Sequence, residues 1–155
     1  MHRSHQDTMN RWFVYLMDKL NPDPMILEVG KQGGLEINEF CVNKVFEIPN
    51  GDRYPPSSTE EENTRALVEL RKTVHVERNK EVKPNHLLDL LRKLNIDNAS
   101  AVRIFFVVAF NKLLFPALDN MLGGQDAFLT KDLSQFCNMN WCKAVVNELC
   151  HAAIM

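Results

Sequence analysis

The chain has 155 residues, 45% hydrophobic and 25% charged, enough material in ordinary proportions for one folded domain with a sizeable core. Lys and Arg number 18 against 20 Asp and Glu, and a net charge of −2 argues against gripping nucleic acid through bulk positive charge. Four cysteines, Cys41, Cys137, Cys142 and Cys150, behind an opening that lacks a secretory signal read as reduced thiols inside a cell.

The opening stretch, MHRSHQDTMNRWFVYLMDKL, has Arg3, Arg11 and an apolar run, so an organellar presequence is one reading. Asp7 and Asp18 count against it, because such peptides are poor in acids. The favoured reading is a first helix from Thr8 to Leu20 that buries Trp12, Phe13, Leu16, Met17 and Leu20 at helical spacing. The expected compartment is the nucleus or cytoplasm, with the mitochondrion as a minor alternative. Asn21 to Pro24, NPDP, ends the helix, since proline cannot continue one.

Ile26 to Val29 and Leu35 to Ile37 then form a small β-hairpin around a glycine-containing loop. That loop is no phosphate cradle, because no Lys-Ser/Thr follows it and no helix stands directly behind it. Asn38 caps a helix whose Phe40, Cys41, Val45 and Phe46 are expected to point inward. Pro49 breaks that helix, Asn50-Gly51 is a turn signal, and Pro55-Pro56 keeps the exit extended. Asp52 and Arg53 on this loop are a candidate recognition pair.

Ser57, Ser58 or Thr59 caps the next helix, which carries a stripe of Ala66, Leu67, Leu70 and Val74. A charged linker, HVERNKEVK, precedes a helix from Asn85 to Leu94 with Pro84 in its first turn. Asp97 or Asn98 caps AVRIFFVVAFNKLLFP, the most apolar run. A membrane span needs about 20 apolar residues, and Arg103 and Asn111-Lys112 bracket only Ile104 to Phe110. This is expected to be a central helix buried on nearly all sides, ended or kinked by Pro116. Gly123-Gly124 reads as a turn, and Thr130 as the cap of a short helix to Phe136. Asn138 or Asn140 caps the last helix, with Trp141, Val145 and Leu149 on one face. The expected fold is one mainly α domain over residues 1–155. It is an irregular array of about six helices around one buried central helix, with a small N-terminal β-hairpin.

The motifs of chemistry are mostly missing. The sequence contains no Gly-x-Ser-x-Gly, His-Glu-x-x-His, P-loop or Cys-x-x-Cys. Cys142 and Cys150 share a helix and stand about 12 Å apart along its axis, too far for zinc ligands that must approach within about 4 Å. No metal, no cofactor and no catalytic residue is expected. Arg65, Arg71, Lys72, Arg78, Lys80 and Lys83 are the one basic cluster, and Glu69, Glu77 and Glu81 interleave it as on a solvated face.

Three segments in order resemble a known family. LEINEFCVNKVFEIPNGDR (Leu35 to Arg53) resembles the helix and V..VF.IP.G turn of the plant mobile domain family, the aminotransferase-like domain carried by transposable elements and their domesticated descendants. RIFFVVAFNKLLFPA (Arg103 to Ala117) is similar to that family's core helix, and LSQFCNMNWCKAVVNEL (Leu133 to Leu149) to its later NW element. The resemblance implies an α-rich fold, a plant source and no established catalysis. A pyridoxal-phosphate lysine in an aminotransferase fold is not on display. Members of that family continue past the tryptophan helix, so the resemblance also implies an N-terminal fragment with an apolar face left uncovered. The expected function is therefore a non-enzymatic protein–protein interaction module, a domesticated transposon-derived protein acting as a toxin, an antidote or a silencing factor. Its partner would be another protein or a second copy, a homo-oligomer in the latter case, with Trp141, Val145, Leu149, Asp52 and Arg53 at the contact. The alternative is a nucleic-acid-associated protein that uses the basic cluster.

Overall fold

The computed structural model describes residues 11, 14–77, 80–93, 97–115 and 121–154, and these are mainly helical with a small antiparallel sheet towards the N-terminal end. The strands are β1 (Leu20–Asn21), β2 (Ile26–Glu28) and β3 (Gly34–Glu36). The helices are α1 (Glu39–Phe46), α2 (Glu60–Thr73), α3 (Pro84–Arg92), α4 (Asn98–Ala109), α5 (Gly124–Leu129) and α6 (Trp141–Ile154). The chain divides into two compact units, one built from the described residues up to Tyr54 and from Asn138 on, the other from Pro55–Cys137.

In the first unit the sheet runs β1-β2-β3, every pair antiparallel, with Leu27 opposite both Leu20 and Leu35. A tight 3-10 turn, Gly30–Gln32, joins β2 to β3, and Gly30 and Gly33 supply the positive φ angles (56° and 119°) that it needs. Asn38 caps α1 as expected, its carboxamide oxygen accepting from Cys41 N at 3.1 Å. The helix stops ahead of Pro49. Glu47 adopts the left-handed conformation and donates its N–H to Asn43 O at 2.8 Å. Residues 14–18 are helical, but Leu16 is exposed and Leu20 is buried from a strand, so the expected first-helix face does not hold there. Trp12 and Phe13 lie outside the described residues.

In the second unit Thr59 is the cap of α2. It forms a reciprocal box with Glu62, whose carboxylate accepts from Thr59 N at 2.8 Å and is thereby held below its usual pKa. Ala66, Leu70 and Val74 are buried, and with Val82, Leu87, Ile104, Val107, Leu122 and Ala127 they make the core. Pro84 occupies the first turn of α3, and Asp97 caps α4 through Ser100 N at 2.9 Å.

Helix α4 is not buried all round: Ile104 and Val107 point in, while Val102 and Phe105 are exposed. Its apolar content therefore fills one face of the core and leaves another uncovered. It then widens into a π turn, Phe110–Leu114, where Phe110 and Phe115 stack at 5.7 Å. Pro116 lies outside the described residues. Gly123-Gly124, expected as a turn, starts a helix, and Thr130, expected to cap one, ends it. Asp126 reaches back to accept from Gly123 N at 3.1 Å, and Thr130 Oγ1 donates to Asp126 O at 2.7 Å. A Cβ on Gly124 would stand 2.7 Å from Asn63 O, so glycine is there to let α5 press against α2.

Candidate functional site

The loop that follows α1 is a docked edge. Gly51 N donates to Met139 O at 3.1 Å, Arg53 N to Asn138 O at 3.2 Å, and Asn140 N to Arg53 O at 2.6 Å. Trp141 N donates to Pro49 O at 3.2 Å. A Cβ on Gly51 would lie 2.8 Å from Met139 N and overlap the Asn138 carbonyl, so the close approach requires glycine. Asn140 ties three elements together. Its Oδ1 caps α6 by accepting from Lys143 N at 2.8 Å, and its Nδ2 donates to Glu39 Oε2 at 3.2 Å. The turn-signal residues of the loop thus create a long-range edge that neither proline nor Asn-Gly announces.

Asp52 and Arg53 are both exposed on this edge, with the Arg53 backbone bonded on both sides. Trp141 and Val145 are 1% and 4% exposed and Leu149 is half-buried, which corrects their assignment to an open contact face. Helix α6 turns its aromatic start inward because Trp141 N and Cys142 Sγ both reach the Ile48–Pro49 carbonyls. Burial, and secondarily Glu39, pushes the Cys142 thiol up, so it stays protonated and inert.

In the first unit α1 carries an open apolar face. Phe40 is 65% exposed, Val45 74% and Phe46 42%, and of the helix only Val42 is buried. Polar contacts set this orientation. Asn43 Nδ2 donates to Ile48 O at 2.9 Å, Cys41 Sγ to Glu36 O at 3.2 Å, and Glu39 accepts from Asn140. These hold Glu39 at the cap of α6 and Asn43 against the following loop, with Val42 buried, and leave the larger apolar side chains outside, against the inward reading of Phe40, Val45 and Phe46. Lys44 Nζ stands 5.3 Å from the Phe40 ring centre, a cation–π contact on the exposed surface.

Among the described residues of the second unit the buried polar side chains are Asn111, Asp126 and Thr130. Asn111 Nδ2 donates to Met121 O at 2.8 Å and to Asp126 Oδ2 at 3.2 Å. Burial raises the Asp126 pKa, against the Asn111 and Gly123 hydrogen bonds that lower it. Among the described residues no three His, Cys, Asp or Glu side chains gather to hold a metal ion. No helix among them is long and apolar enough to cross a membrane. In the basic cluster, Arg65 pairs with Glu61 at 2.8 Å and Lys80 with Glu77 at 3.1 Å, while Arg78 lies outside the described residues.

Residues 4–155 match a family model described as a domain of unknown function, DUF8566. No curated protein and no solved structure matches the chain.

Proposed function

We propose that this chain, which belongs to the DUF8566 family of domains of unknown function, is a non-catalytic protein–protein interaction module. The observation that carries the reading is α1: Phe40, Val45 and Phe46 face outward from an eight-residue helix that buries one apolar side chain. Large apolar side chains held on the surface by a framework of hydrogen bonds are suited to being covered by another chain. Phe40 has the character of an anchor, a largely exposed aromatic ring with the Lys44 ammonium 5.3 Å from its centre.

The resemblance to the plant mobile domain supports a domesticated, transposon-derived origin. Two of its three segments, Leu35 to Arg53 and Leu133 to Leu149, contain the strands of chain that pair at Gly51–Met139 and Arg53–Asn138. A toxin, an antidote or a silencing factor acting by stoichiometric binding fits such a module. Nucleic-acid binding is the weaker reading, because Arg65 and Lys80 are already paired with acids on their own segments.

Light scattering on the pure protein at two concentrations distinguishes the occupants. A mass that rises above 17.9 kDa with concentration identifies a second copy, and a constant 17.9 kDa directs the search to another protein. In either case the complex has integer stoichiometry, and the double substitution Phe40→Asp, Val45→Asp abolishes it. A complex that persists in that variant overturns the assignment.

A further inference from the structure

Asn50-Gly51 is a chemically labile pair set within the docked edge of the first unit. No other asparagine of the sequence precedes a glycine. Asn50 is exposed, and its carboxamide has no hydrogen-bond partner among the described residues. It stands opposite Asn140 in an antiparallel bridge, with a backbone hydrogen bond on each side of it. Trp141 N donates to Pro49 O at 3.2 Å before it, and Gly51 N donates to Met139 O at 3.1 Å after it. The edge itself demands the glycine, because a side chain there would overlap the Asn138 carbonyl. The same lack of a side chain leaves the Gly51 nitrogen sterically free to approach the Asn50 carboxamide. What restrains that nitrogen is its hydrogen bond to Met139.

We infer that Asn50 is a deamidation site gated by the docked edge, and that the reaction locks the edge open. When the edge undocks, Gly51 N gives up its proton to solvent base and attacks Asn50 Cγ. The N–Cγ bond forms, the Cγ–Nδ2 bond breaks, and ammonia leaves with a proton taken back from solvent. Water then adds to either carbonyl of the cyclic imide and opens it to aspartate or isoaspartate. Nothing is oxidised, and water is the only co-reactant. Isoaspartate routes the main chain through the former side-chain carbons and lengthens it there. The bonds at Pro49 and Gly51 then cannot both keep their register. Either product also sets a carboxylate near Asp52 and opposite Asn140, whose Nδ2 is already engaged by Glu39. Like charges gathered there oppose redocking. The edge covers Cys142, whose Sγ lies 3.5 Å from the Ile48 and Pro49 carbonyls, so its loss bares that thiol. The site uses neither Phe40 nor Val45 and needs no part of the α1 reading.

The test is incubation of the full chain at pH 8, native and in denaturing urea, followed by peptide mass spectrometry that separates aspartyl from isoaspartyl products. Both products are expected at Asn50 in both samples. The native rate is expected to be lower by about tenfold or more, because only the locally opened state reacts. Asn140→Ala removes the α6 cap and the bond to Glu39, and is expected to raise the native rate while leaving the urea rate unchanged. Asn50→Gln, at an exposed position, is expected to give no product, since its longer side chain closes a less favoured ring. In aged native protein, iodoacetamide is expected to label Cys142 in the deamidated fraction and to spare it in the unmodified fraction. Equal native and urea rates, absence of product at Asn50 in urea, or equal protection of Cys142 in both fractions would each overturn the proposal.

Discussion

Asn111 and Asp126 meet inside the second unit, the amide Nδ2 donating to the carboxylate Oδ2 at 3.2 Å where both side chains are buried. One neutral donor and one backbone N–H do not replace the water that a charged carboxylate loses, which is why the Asp126 pKa is raised. A folded-state pKa above the unfolded value of about 3.9 means that stability is fully present below that pH and is lost as pH rises through the folded pKa. Comparing wild type with Asp126→Asn by urea unfolding across pH 3 to 8 isolates this group. The wild type is expected to fall relative to the variant from about pH 4 upward. A pH-independent difference would contradict it.

Gly124→Ala sets two effects against each other. Alanine improves helix propensity by at most about 1 kcal/mol. The added Cβ, 2.7 Å from Asn63 O and 2.8 Å from Asn63 C, must push backbone aside, which costs about 1–3 kcal/mol. The overlap wins, so a lower Tm is expected by thermal unfolding. A raised Tm would mean that α5 can move off α2 without loss.

The cysteines differ by environment. Cys137 is exposed, whereas Cys142 is buried and its thiol is pushed up by desolvation. Iodoacetamide at pH 8 followed by mass spectrometry is expected to modify Cys137 in the native protein and Cys142 only after denaturation. Equal native labelling would show that the Ile48–Pro49 contact to Cys142 opens readily.

Local signals were legible in the sequence. Asn38 caps as expected, and Thr59, Asp97 and Asn140 are the caps among the two or three neighbouring candidates at each helix start, because a cap depends on residues three positions away. The Ala66–Leu70–Val74 stripe and Pro84 at a helix start were legible for the same reason. What failed depended on distant partners. Gly124 resembles a turn residue until Asn63 is seen beside it. The orientation of α1 was hidden because its apolar residues cover a wide arc. Asn43, Glu39 and Cys41, bonded to Ile48, Asn140 and Glu36, decide which part of that arc faces inward. Trp141 was misassigned to an open face because its burial depends on an edge formed some ninety residues earlier, at Pro49.

The outward face of α1 is most directly tested by affinity capture with immobilised wild type and the Phe40→Asp, Val45→Asp variant, matched for native circular dichroism and Tm. The expected result is that wild type retains a protein, or its own untagged copy, in stoichiometric amount, and that the variant retains neither. If both baits retain the same proteins in the same amounts, or wild type retains none, α1 is not an interface.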